Sequence, residues 1–157
     1  MQQQQDQKFG IAEARRVLDD VFAPWVKDLD LSVEAFDFEQ PSDERDWQAG
    51  AVLRMPFSEK LCRNGGMVCG QALMAFADTA MVIANLAANR GYRPMTTVDQ
   101  TTHFMRAVMS SDVLADARDA VARPAGEARR LISTSVLWRR GAAARYKGAD
   151  QAEGRRN

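Results

Sequence analysis

The segment from Ala72 to Ala88 constrains the fold more than any other. Ala72, Leu73, Met74, Ala75, Phe76, Ala77, Ala80, Met81, Val82, Ile83, Ala84, Leu86, Ala87 and Ala88 follow one another with Asp78 as the only charge among them. The run is too long for a strand and apolar on nearly every face, which predicts a helix buried all round rather than laid on a surface. Its many alanines permit close approach by a surrounding sheet. Gly91 supplies a stop signal. The run falls short of the roughly 18 to 20 uncharged residues that a bilayer span needs, and Asp78 in its middle speaks against one.

The flanking sequence supplies that sheet. From Ile11 to Leu29, apolar residues recur at steps of three and four through Ala14, Val17, Leu18, Val21, Phe22, Trp25 and Val26, which predicts an amphipathic cover helix. Pro24 should kink or end it. Leu31 to Phe38 and Trp47 to Met55 read as an antiparallel hairpin about a polar loop containing Pro41, Ser42 and Asp43. After the apolar helix come three further strand candidates, Thr96 to Met105, Asp112 to Val121 and Arg129 to Arg139, the last two joined by a turn at Pro124 to Gly126. The expected class is α+β: a curved antiparallel sheet wrapped around a long central helix, with an additional N-terminal helix. At 157 residues the chain fits one domain. We expect residues 1–8 to be a flexible leader, 9–147 the domain and 148–157 a flexible tail.

Acidic and basic residues number 21 each, so no long-range field favours a nucleic acid or an anionic membrane. Charge points to a small ligand or a neutral partner. The glutamine-rich start, Met1 to Lys8, lacks the pattern of a signal peptide. Cys62 and Cys69 are too few for a disulfide framework and lack the paired spacing of a zinc site. A reduced, cytoplasmic protein without a metal or cofactor is the expectation.

Asp78 is the residue around which a chemical reading can be built. A carboxylate among alanines and methionines is costly to desolvate, and desolvation tunes such a group toward general-base work near neutral pH. The competing reading is structural, with Asp78 accepting hydrogen bonds from a helix end or Thr79, or meeting an arginine at a subunit contact. Upstream, the stretch RNGGMVCGQ leads into the helix. The amides of Gly70 and Gln71 at the positive helix end could hold a developing oxyanion, and Gly70 has no side chain to obstruct a carbonyl. Alternatively Gly65, Gly66 and Gly70 only shape a turn. No Lys followed by Ser or Thr closes a phosphate-binding loop. Gly70 and Asp78 are eight residues apart, roughly 12 Å along a helix, so one carbonyl cannot touch both in the same chain. If both serve one substrate, they come from different subunits.

From about Val52 to Trp138 the chain resembles the hotdog-fold thioesterases of the phenylacetate-degradation (PaaI-type) group. The resemblance rests on GMVCGQALMAFADTA, TTVDQTTHFMRAV and SDVLADAR, in that order and spacing. It implies hydrolysis of acyl-CoA thioesters in a homodimer, or in a tetramer of two dimers. Asp78 would be the general base or nucleophile, and the Gly70 amide the carbonyl-polarising donor. Thr97 would help to place water or substrate, and Arg63, Asn64, Gly66, Cys69 and Gln71 would line the substrate site. Four positions depart from the pattern: Cys69 stands for the usual histidine, Gln71 for the second glycine, Arg63 for an asparagine (with Asn64 one place off), and Ala107 for a proline.

Other candidates are weaker. Cys69 could be a nucleophile at a helix start, but no base is visible beside it. His103 reads as an ordinary strand residue, and a lone histidine builds no zinc site. Arg106, Arg129, Arg130, Arg139 and Arg140 could meet coenzyme A phosphates, although most read as solvated positions. Met74, Phe76, Met81 and Met105 could line an acyl channel, but core filling is the more common use. Two rival functions remain: a non-catalytic acyl-CoA-binding or sensing protein, which the departures at Cys69 and Gln71 make credible, and hydration of an enoyl thioester, which lacks a histidine near Asp78.

Overall fold

The computed structural model describes residues 10–43, 45–97, 99–119 and 134–140. The chain opens with helix α1 (Ile11–Asp20), which buries Ala14, Val17 and Leu18. Pro24 ends the helical path as its chemistry requires: α1 stops at Asp20, and a short 3-10 turn with Pro24 in its first position carries the chain to Leu29. The predicted helix from Ile11 to Leu29 is therefore two pieces.

Strands β1 (Ser32–Asp37) and β2 (Gly50–Met55) form the expected antiparallel hairpin. Its register shifts between Val33 and Ala35, so Glu34 is the extra residue of a bulge. The bulge turns the Glu34 carboxylate to accept from Arg54 at 3.1 Å. Next comes an element that sequence reasoning missed, a small hairpin of β3 (Cys62–Arg63) and β4 (Met67–Val68). Gly65 and Gly66 close it with φ of 94° and 76°, values that favour glycine over any residue with a Cβ.

Helix α2 (Gly70–Asn89) is the long apolar run, begun two residues earlier than its apolar pattern. Its end differs from expectation. Arg90, not Gly91, adopts the left-handed conformation, while the Gly91 amide donates to the Leu86 carbonyl at 3.2 Å. The Arg90 guanidinium lies over the Phe38 ring at 5.6 Å, so the side chain itself anchors this unusual cap.

Among the described residues, strands β5 (Val113–Asp119) and β6 (Thr134–Arg140) join the hairpin in a four-stranded antiparallel sheet in the order β1-β2-β5-β6. Alternation along β5 sends Val113, Ala115, Ala117 and Asp119 inward and leaves Leu114, Asp116 and Arg118 partly exposed. The core joins Phe76, Ala80, Ile83 and Ala84 of α2 to Ala51, Leu53, Ala115 and Ala117 of the sheet. Gly50 is required there, because a Cβ would lie 2.2 Å from the Ala117 carbonyl oxygen. The predicted leader, the tail from Gly148, the turn at Pro124 to Gly126 and residues 129–133 of the last strand candidate lie outside the described residues.

Two expectations are corrected. The described residues of Thr96 to Met105 form no strand, for their polar contacts run to α2 instead of to a ladder. Nor is α2 buried on every side: Gln71 and Met74 are exposed and Ala75, Asp78, Met81 and Val82 half-buried, a stripe at steps of three and four that the sheet does not reach. The helix is long and apolar enough to cross a membrane, but 61% of its apolar window is buried within the molecule.

Candidate active site

The start of α2 is held from both sides. Cys69 donates its amide to the Leu61 carbonyl at 2.8 Å, and Val68 donates to Val108 at 3.0 Å. These bonds extend the β3–β4 hairpin to the residue that precedes the helix. Cys69 occupies the N-cap position without a side-chain cap bond, so the first amides, including that of Gly70, have no acceptor within the helix. With the macrodipole behind them, they form a weakly positive end suited to a carbonyl oxygen that gains charge.

Asp78 lies two turns further on, in the open stripe. It is half-buried in this chain, which corrects the expectation of full burial, while its chain neighbours Ala77 and Thr79 are buried. The competing structural role through Thr79 does not occur, because the Thr79 hydroxyl donates to the Ala75 carbonyl at 2.9 Å. Instead, the hydroxyl of Thr97 donates to the Asp78 carboxylate. The two residues are 19 apart in sequence, and Thr97, Gln100 and Phe104 meet α2 at progressively earlier positions. Gln100 Nε2 reaches the Met74 carbonyl at 3.2 Å, and Phe104 covers Gly70.

The remaining candidates divide. Arg63, Asn64 and Gly66 share a surface depression of about 380 Å³ with Phe57, Glu59, Cys62 and Ser110. Cys69, Gln71 and Thr97 do not line it, nor do Gly70 and Asp78. Thus the hairpin residues form one group and the Asp78–Thr97 pair another, with Gly70 between them in the chain. Among the described residues no cluster of three or more His, Cys, Asp or Glu could hold a metal ion. His103 is exposed, as are Arg106 and Met105, whereas Phe76 is wholly buried in the core. Phe104 is the residue that sequence reasoning missed. Its contact with Gly70 spans 34 positions, and no local pattern announces it.

Outside the site, two arginines tie the sheet to its surroundings. Arg54 bonds Glu34 and Asp112, and both contacts raise the affinity of its guanidinium for its proton. Asp112 accepts from the Phe57 amide at 2.9 Å and from Arg54 at 3.0 Å, which together hold its carboxyl below the usual range despite some desolvation. Burial acts to depress the pKa of Arg118, but bonds of 2.6 Å to Asp37 and to Asp116 outweigh it and leave the group above its ordinary value. These pairs fix the start of β5 and the outer face of the sheet, and take no part in the Asp78 arrangement.

Comparison with known proteins agrees with this architecture. Residues 65–118, which include Gly70, Asp78 and Thr97, match the family model described as the thioesterase superfamily. A crystal structure of a Pseudomonas aeruginosa protein is similar over 84% of this chain and 87% of its own, with a TM-score of 0.64 and 22% identity. The chain carries the hotdog fold. A second, conserved P. aeruginosa protein gives a TM-score of 0.61 at 22% identity over 82% of this chain and 88% of its own. Zebra fish thioesterase superfamily member 2 gives 0.59 at 19% identity over 83% of each chain. No curated protein matches the sequence. At these identities the structures bear on the fold, and the α+β class read from the sequence is the observed one.

Proposed function

We propose that the protein hydrolyses acyl-CoA thioesters in the manner of the PaaI-type group. Asp78 of one subunit activates water or attacks directly, and the Gly70 amide of another polarises the carbonyl. The observation that carries this reading is the match of residues 65–118 to the thioesterase superfamily, since that span contains both Gly70 and Asp78. The arrangement of α2 supports it: an uncapped helix start for the carbonyl, and a carboxylate on the open stripe with a hydroxyl beside it. Eight residues separate the two groups, roughly 12 Å, so a complete site needs two chains. A homodimer is the minimal active unit on this reading, with a dimer of dimers also compatible. The two cysteines are free, in keeping with a reduced, cytoplasmic setting.

A second reading, acyl-CoA binding without turnover, is favoured by one feature: the Phe104 ring lies against Gly70. The decisive assay is release of free thiol from a panel of acyl-CoAs, compared with direct binding. Turnover that disappears in Asp78→Ala supports hydrolysis. An Asp78→Ala variant as active as the parent contradicts it, and tight binding with no thiol released favours the second reading.

A further inference from the structure

Two of the three glycines in the approach to α2, Gly66 and Gly70, are faced by apolar side chains from one later segment. At Gly70, a Cβ would lie 3.2 to 3.7 Å from three atoms of the Phe104 ring. At Gly66, it would lie 4.0 Å from the terminal methyl of Met109. Phe104 is 54% exposed and Met109 45%, values at which a large apolar side chain contributes little to the core.

The two differ in how they are held. Met109 forms a β-bridge with Met67, and its neighbour Val108 accepts the Val68 amide at 3.0 Å, so its backbone is fixed to the glycine hairpin. Residues 99–105 form neither strand nor bridge. The Phe104 ring therefore rests on Gly70 without a ladder beneath it. The ring lies against the Cα of Gly70, so a carbonyl brought to the Gly70 amide arrives beside it, and the acyl group behind that carbonyl would lie against Phe104 with Met109 as the fixed neighbour.

We propose that Phe104 is the movable wall of the acyl site and sets the size of acyl group that the protein accepts. The inference rests on the reading of Gly70 as the carbonyl donor. The ring lies beside Gly70; an incoming acyl group displaces it and packs on its face, which favours acyl bodies small enough to share the space. Gly70 is then glycine for two reasons, access of the carbonyl and room for the ring.

The test is the acyl-chain profile of the full-length protein, measured as kcat/KM from acetyl-CoA to palmitoyl-CoA. Phe104→Ala should raise the ratio of long-chain to short-chain kcat/KM by about tenfold or more, with Phe104→Leu intermediate, since discrimination by an apolar pocket scales with the volume removed. A second pair of variants reads the contact itself: Gly70→Ala should lose activity, and Gly70→Ala with Phe104→Ala should recover part of it. Circular dichroism and melting accompany each variant, and Phe104→Leu retains an apolar side chain if the alanine variant fails to fold. An active parent whose ratio is the same in folded Phe104→Ala or Phe104→Leu overturns the inference while leaving the proposed function intact. A parent that releases no thiol from any acyl-CoA overturns both.

Discussion

Asp78 differs from an ordinary surface carboxylate in its neighbours. Ala77 and Thr79 are buried, Ala75 is half-buried, and Thr97 supplies a hydroxyl directly to the carboxylate. A hydrogen bond to a charged group is worth about 1.5–3 kcal/mol. If that bond orients Asp78 for catalysis, Thr97→Val should lower kcat by about ten- to a hundredfold, whereas Thr97→Ser should retain most of it. Steady-state kinetics of the two variants separates orientation from loss of fold. Gly50 carries a different constraint at the same scale. A methyl group there would meet the Ala117 carbonyl oxygen at 2.2 Å, and backbone cannot move aside as a side-chain end can. Gly50→Ala should destabilise the protein by about 1–3 kcal/mol, seen as a lower midpoint in urea.

At the scale of elements, ion pairs and caps fix where the strands begin. The Asp112 carboxyl, held low by the Phe57 amide and Arg54, binds its proton more weakly when folded than when unfolded. Its contribution to stability is therefore present above the ordinary carboxylate value and is lost as pH falls through the lower folded one. Asp112→Asn should flatten the fall in stability between about pH 5 and pH 2, as followed by thermal melting across that window. Elements with strong local periodicity were legible in the sequence: α1 from Ala14, Val17 and Leu18, the β1–β2 hairpin, β5 and α2. The β3–β4 hairpin was not, because two residues per strand leave no alternation to detect. Thr96 to Met105 misled for the opposite reason. Its threonines, valine and phenylalanine have strand propensity, but a strand also needs a partner, and here Thr97 and Gln100 bond to α2. Asp78 was legible as the one charge in an apolar run. Its half-exposure was not, because sequence alone does not say how far a sheet reaches around a helix.

For the whole molecule, the four-stranded sheet covers one side of α2 and leaves a stripe from Gln71 to Val82 that bears Asp78. On the proposed function, Gly70 and Asp78 work across a subunit boundary, which makes the site a property of two chains and not of one. The most direct measurement is subunit complementation. Gly70→Pro removes the amide donor at the first helical position, where the helix backbone accommodates proline and Cys69 already has the extended backbone that a following proline requires, and its Cβ presses on the Phe104 ring as that of Gly70→Ala does. Asp78→Asn removes the carboxylate base. Co-expressed with different affinity tags and purified as a mixed population, two variants that are each inactive should regain about a quarter of the parent's thiol release. Half of randomly paired dimers are mixed, and each mixed dimer carries one intact site of two. Mixed dimers isolated through both tags that remain as inactive as the single variants would contradict a site shared between subunits.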